Sequence, residues 1–172
     1  MSNIEIREAT IQDAKSIANI HVKTWQFAYK DLIPDDYLSG LSIDTKTENW
    51  KKKLESLDED IHAIVAIADD KVVGWCTFGK SRDEDALNST GELHGIYVIP
   101  EQIGTGAGSK LMENVIETLK IEGYTKATLW VLSDNEKTKQ WYEKKGWKAD
   151  GKSKIEERKD FNLNEMRYLI DL

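Results

Sequence analysis

The sequence predicts a mixed α/β domain with one parallel crossover at its centre, and three observations carry that reading. An apolar stretch at Glu92–Val98 runs into a loop with Gly104, Gly106 and Gly108 at every second position, then a helical pattern and a second apolar run at Ala127–Leu132. Strand, helix and strand in that order make a parallel pair. Two apolar runs upstream, Ile61–Ala68 and Val72–Phe78, are separated only by Asp69-Asp70-Lys71, which reads as an antiparallel hairpin. The 172 residues contain no repeat, low-complexity tract or linker, so residues 1–172 are expected to form a single domain with one substantial core.

The elements follow in order. Ile4–Glu8 alternates apolar and polar residues like a short strand. Thr10 and Asp13 have the spacing of a capping box, which opens a helix from about Ile11 to Tyr29. Ala14, Ile17, Ala18, His21, Val22, Trp25 and Tyr29 share one face of it at helical spacing. Pro34 suits a first helical position and starts a small helix through Tyr37 and Leu38. Asp44 is the expected cap of a third helix that carries Trp50 and Leu54 inward. Gly79–Ser89 is polar and is expected to be a mobile surface loop. The helix after the glycine loop, from about Gly106 to Glu122, buries Leu111, Val115, Ile116 and Leu119 and ends at Gly123. Asn135 caps a last helix, Glu136–Lys145, closed by Gly146. Trp147–Lys154 and Asn162–Ile170 close the order β-ααα-ββ-β-α-β-α-β-β around a polar turn at Arg158–Asp160.

Composition narrows the function. A net charge of −7 disfavours a nucleic-acid surface and mildly favours cationic small molecules, though acidity also simply keeps a protein soluble. Cys76 is the single cysteine and lies in an apolar run, so a buried inert thiol is expected rather than a disulfide, zinc site or nucleophile. No apolar stretch reaches membrane-spanning length and the N-terminus lacks a signal-peptide pattern, so the expected location is cytoplasmic, away from membranes. His62 has no partner at metal-ligand spacing, and no metal is expected; His21 reads as a packed helix histidine.

The glycine loop is the chemical signal. At a helix N-terminus the backbone N–H groups are free, the dipole is positive, and glycine lets an anion approach closely. Two phosphate cradles fail on spacing. The dinucleotide fingerprint starting at Gly104 needs glycine where Ser109 stands, and the Walker pattern needs lysine directly after Gly108, where Ser109 stands again. The loop instead resembles motif A of the GCN5-related N-acetyltransferases (GNAT), [QR]-x-x-G-x-[GA], with Gly106 and Gly108 at the two small positions and Tyr97-Val98-Ile99-Pro100-Glu101 leading in. One position departs: Ile103 stands where the family has Gln or Arg, with Gln102 one residue early. The segment from Asn135 to Trp147 is similar to the family's N-x-x-[AT]-x-x-[FW]-Y-x-x-x-G-[FW], and Trp25 to Pro34 looks like a stretch of one branch.

The resemblance implies a GNAT fold: a mixed, mostly antiparallel sheet of about seven strands with a splayed central parallel pair, flanked by four to five helices. It implies acetyl-coenzyme A as co-substrate. The pyrophosphate would lie on the amides of Gly104, Thr105, Gly106, Ala107, Gly108 and Ser109, and the pantetheine arm along Ile96, Tyr97 and Val98, with Asn135 also contacting it. A free N–H near Ile96 or Tyr97 could stabilise the oxyanion, an effect of ~3 kcal/mol per donor. By the same resemblance Tyr142 protonates the leaving thiolate and Glu92 is a general base. An attacking amine with pKa ~10.4 must lose a proton. On a regular strand Glu92 shares a face with His94, Ile96 and Val98, which makes His94 a second base or a water-relay partner. Trp25, Tyr29 and Tyr37 are placed to wall the acceptor pocket, with Asp35 or Asp36 available for a cation.

The implied activity is transfer of the acetyl group to a primary amine of a small, cationic acceptor by direct attack in a ternary complex. A non-catalytic acyl-coenzyme A binding module and a protein N-terminal or lysine acetyltransferase are the alternatives. A homodimer is the assembly that base rates favour.

Overall fold

The computed structural model describes residues 3–172. Its strands are β1 (Ile4–Glu8), β2 (Ile61–Ala68), β3 (Lys71–Lys80), β4 (Thr90–Val98), β5 (Lys126–Leu132), β6 (Lys148–Glu157) and β7 (Asn162–Asp171). Its helices are α1 (Ala14–Ala28), α2 (Asp35–Ser39), α3 (Ile43–Glu55), α4 (Ala107–Ile121) and α5 (Glu136–Lys144), with short 3₁₀ turns at Ile11–Asp13 and Pro100–Gln102. All seven strands form one sheet in the order β1-β2-β3-β4-β5-β7-β6. Every neighbouring pair is antiparallel except β4 and β5, which α4 joins as a parallel crossover.

Local chemistry sets the boundaries. Asp69 and Asp70 both adopt positive φ (49° and 61°), the left-handed pair that joins β2 to β3 with a twist matching the strands. The Thr10–Asp13 box forms, with the Thr10 N–H donating to Asp13 Oδ2 at 2.7 Å, and the same carboxylate accepts two bonds from Arg7. Ser42, not Asp44, caps α3: its hydroxyl accepts from the Thr45 N–H at 3.1 Å, and Asp44 falls inside the first turn, where its charge meets the positive end of the dipole.

Both sheet faces are covered. On one face α4 buries Leu111, Met112, Val115 and Leu119 against Ile64, Cys76, Phe78, Leu93 and Leu129, and Tyr142, Trp147 and Tyr168 extend that core. On the other, α1 and α3 bury Ile17, Ile20 and Trp50 against Val65 and Trp75. A smaller cluster of Ile33, Leu38 and Leu163 seals the link from α1 to α2 against β7.

The segment after β3 departs from expectation. Gly79 and Lys80 belong to β3, and the remainder is fastened to the sheet rather than loose. Trp130 Nε1 donates to Asp83 at 2.9 Å, Arg167 pairs with Asp83 and Asp85, and Arg82 pairs with Glu92. Polar residues there bond to polar partners rising from β4, β5 and β7, which a linear reading does not reveal.

Candidate active site

The site begins where the parallel pair comes apart. β4 and β5 are in register only from Thr90 opposite Lys126 to Leu93 opposite Leu129. Beyond that point β4 stays on β3 and β5 stays on β7, so the β5-facing edge of β4 from His94 to Val98 has no strand partner. A bulge marks the divergence. Gly95 opposes Thr77 and Leu93 opposes Phe78, which leaves His94 as an extra residue, and such an insertion bends and twists its strand.

The bulge also corrects the expected strand face. Ile96 and Val98 pack against the α4 core together with Leu93, so they do not share a face with Glu92. One added residue switches the alternation, and it does so at His94 itself.

The glycine loop closes the α4 end of this gap. Gly104 and Gly106 have φ of +86° and +96°, and a Cβ at either would meet nothing within 4 Å. The requirement there is conformational, not spatial. Gly108 differs, because its Cβ would lie 3.2 Å from the Trp141 ring. The Thr105 N–H and hydroxyl both donate to the Gln102 carbonyl, which folds the loop back on the 3₁₀ turn. The amides of Gly106, Ala107, Gly108 and Ser109 find no backbone acceptor, as expected for a helix start. Lys145 reaches Ser109 Oγ at 2.6 Å from α5 and adds positive charge. Ile103 is exposed beside the loop. Gly106→Ala should cost about 1 kcal/mol of stability, because the left-handed backbone resists a Cβ, and urea unfolding with an unchanged m-value would read it.

Tyr142 approaches the gap from α5. It is buried, its ring packs near Trp147 and Tyr168, and Tyr97 and Cys76 act on its hydroxyl. Burial raises the phenol well above its ordinary pKa, so it keeps its proton through the physiological range. Asn135 caps α5, accepting from the Thr138 N–H at 3.4 Å. Cys76 is fully buried and its thiol is pushed up by that burial, as the sequence suggested.

Glu92 is 1% exposed and opposes Thr128 across the last paired stretch. Its Oε1 accepts the Arg82 backbone N–H at 2.8 Å, and its Oε2 accepts from Arg82 Nη2 at 2.5 Å and Nε at 3.2 Å. Burial works against its charge, but Arg82 outweighs burial and holds the carboxyl below its ordinary value. To act as a base, Glu92 would first have to release Arg82. Burial and the Arg82 charge lower the pKa of His94; its Nε2 lies 3.1 Å from the Lys80 carbonyl, and its ring borders an open cavity of about 380 Å³ with Lys53, Asp58 and Asp60.

The residues expected to wall an acceptor pocket form an aromatic cluster. Trp25 and Tyr29 meet edge-on at 4.9 Å, Tyr37 and Phe161 at 4.8 Å, and Trp25 lies 6.4 Å from Tyr37. Arg158 Nη1 donates to the Tyr37 hydroxyl at 3.3 Å, so the polar turn between β6 and β7 forms part of the wall. Asp35 and Asp36 are exposed in the first turn of α2. His21 accepts from Trp50 Nε1 at 3.4 Å, and its pKa is lowered to about 4 by burial and by Lys46 and Lys53, so it serves as a neutral packing residue. Among the described residues no group of three or more His, Cys, Asp or Glu is arranged to hold a metal, and no helix is long and apolar enough to cross a membrane.

Sequence reasoning did not single out three residues beside this wall: Arg158 and Phe161, which contact Tyr37, and Glu165, which opposes Leu132 on β7. Glu165 left a weak signal, since in the alternating strand from Asn162 it shares a face with Leu163 and Arg167. A carboxylate two residues from a buried leucine is a polar group facing inward.

Comparison with known proteins agrees with this geometry. Residues 16–147 match the acetyltransferase (GNAT) family. An uncharacterized N-acetyltransferase of Bacillus subtilis, YuaI, is 32% identical over 134 residues, covering 77% of this chain and 73% of that protein. A spermidine N(1)-acetyltransferase of Thermoplasma acidophilum is 23% identical over 172 residues, covering 91% of this chain and 98% of that one. Among solved structures, the PaiA N-acetyltransferase of Thermoplasma acidophilum in complex with coenzyme A superposes with a TM-score of 0.76 at 19% identity, covering 99% of both chains.

Proposed function

The chain belongs to the acetyltransferase (GNAT) family, and on that premise we propose that it transfers the acetyl group of acetyl-coenzyme A to a primary amine of a small cationic acceptor. The observation that carries this reading is the unpaired β4 edge ending at a loop of free amides. An extended pantetheine arm fits the edge as an added strand, with contacts to Ile96, Tyr97 and Val98, and a pyrophosphate fits the amides of Gly104 and of Gly106 to Ser109, whereas the expected Thr105 amide is held by the Gln102 carbonyl. Asn135 would steady the arm. Bound there, acetyl-coenzyme A would supply an acetyl group activated as a thioester.

The chain's own groups then have separate tasks. The main-chain N–H of Ile96, which faces away from β3 onto the open edge, polarises the carbonyl oxygen, whereas that of Tyr97 points to β3. Tyr142 holds a proton on its hydroxyl for the departing thiolate, without first having to be loaded. Glu92, buried at the root of the gap, ties the segment after β3 to β4 through Arg82. A cationic acceptor is supported by the net charge of −7, by the aromatic wall and by the likeness to a spermidine acetyltransferase.

Thiol release from acetyl-coenzyme A over a panel of spermidine, amino acids and short peptides tests the reading. Release that depends on spermidine-like amines supports it. Cofactor binding with no release across the panel would instead mark an acyl-coenzyme A binding module, and a preference for peptides would mark a protein acetyltransferase.

A further inference from the structure

β7 places a carboxylate at the open end of the gap. Along β7, Leu163, Glu165 and Arg167 lie on the face of α1 and α2, whereas Met166 and Tyr168 pack in the α4 core. Glu165 opposes Leu132, the last residue of β5, beyond the point where β4 has left β5. Leu132 and Tyr29 belong to one cluster, so the aromatic wall abuts this position. Glu165 therefore stands on the strand beside the aromatic wall, at the end of β5 from which β4 has parted, and its charge acts on the Tyr29 and Tyr97 phenols.

Glu165 is half-buried, no Lys or Arg nitrogen among the described residues forms an ion pair with it, and its side-chain partner is another carboxyl, that of Glu156. Its neighbouring cations act on it through charge but make their close contacts elsewhere. Lys154, directly opposite on β6, stands 4.2 Å over the Trp130 ring, and Arg158 pairs with Glu156 at 2.9 Å. A half-buried carboxylate with no cation paired to it, beside an aromatic wall, is suited to receive a cation.

We propose that Glu165 is the acceptor-side carboxylate of the reaction: it pairs with the incoming alkylammonium and takes one proton from it. This rests on the acetyltransferase reading above. In the step, one N–H bond of the ammonium breaks with its electron pair staying on nitrogen, and an O–H bond forms on Glu165. The neutral amine then has the lone pair that attack requires, and Glu165 returns its proton to water after transfer. Burial raises the carboxyl, with Glu156 acting in the same direction and Lys154 and Arg158 opposing, which makes Glu165 a better base than an ordinary surface carboxylate. Glu92, held below its ordinary value by Arg82, is the poorer base of the two.

Glu165→Gln keeps size and polarity but cannot take a proton. With spermidine as probe, kcat/KM should fall roughly a hundredfold, with binding of coenzyme A unchanged. The acidic limb of the kcat/KM profile should move to higher pH, because the amine must then lose its proton unaided. Calorimetric binding of spermidine to the coenzyme A-loaded protein should weaken about tenfold or more, and Glu165→Asp should recover part of both effects. An unchanged acidic limb together with unchanged spermidine binding in Glu165→Gln overturns the assignment. Spermidine binding that depends on Glu165 in a protein that releases no thiol would refute the transferase reading and leave the cation site standing.

Discussion

Tyr142→Phe is expected to lower kcat about a hundredfold or more while leaving coenzyme A affinity and the fold nearly untouched. General acid catalysis by a positioned side chain is worth roughly 10²–10⁴ in rate, and the substitution removes only the proton donor. Packing survives, because the ring keeps its neighbours Trp141, Trp147 and Tyr168. The pH dependence follows from the direction of the shift. Burial, with Tyr97 and Cys76, raises the phenol, so the neutral donor persists up to and beyond the ordinary tyrosine range. Wild-type kcat should therefore show no loss on the alkaline side that belongs to Tyr142 below about pH 10. Steady-state thiol release and a coenzyme A titration on both proteins decide the matter. A variant within threefold of wild type would mean that water protonates the thiolate and that Tyr142 only packs.

The fold was legible because its signals are local. Alternation gave β1, the two aspartates gave the β2–β3 turn, and Gly123 and Gly146 gave helix ends through positive φ of 90° and 98°. Helix faces were partly legible: Ile20 and Thr24 of α1 are buried although the apolar stripe omitted them, because α3 covers α1 on a second side. The bulge at His94 was not legible. Gly91-Glu92-Leu93-His94-Gly95 alternates well enough to pass for a regular strand, and the extra residue is defined only by its pairing with β3.

The site divides in the same way. The proposed cofactor half is backbone chemistry on consecutive residues, and glycine spacing announces it. The proposed acceptor half is assembled from α1, α2 and the far end of the chain, so Arg158 and Phe161 meet Tyr37, and Glu165 comes to lie opposite Leu132, only after the sheet closes. Long-range charge pairing is equally silent in sequence. The partner of Glu92 is ten residues earlier, in a stretch that reads as a loose loop.

That partner supports the other large effect. Arg82→Ala should destabilise the protein by about 2 kcal/mol and reverse the sign of one contribution to its pH dependence. Breaking a buried pair typically costs 3–5 kcal/mol, because the remaining charge is left uncompensated. The Arg82 side chain is 61% exposed, so water already screens the attraction, and the expected cost lies below that range. In the wild type, Arg82 holds Glu92 below its unfolded value of 4.5. The stability this contributes is present above the unfolded value and is lost as pH falls through the lower folded one. Without the guanidinium, burial dominates and the folded value lies above the unfolded one. The unfolded chain then ionises more readily, so stability falls as pH rises through the window between the two values. Urea unfolding at about pH 5 and pH 8 should show the variant weaker at the higher pH relative to wild type, and adding Glu92→Gln should remove that difference. Parallel stability profiles for Arg82→Ala and wild type would show that the buried carboxylate finds another partner, and that the 81–89 segment does not depend on this pair.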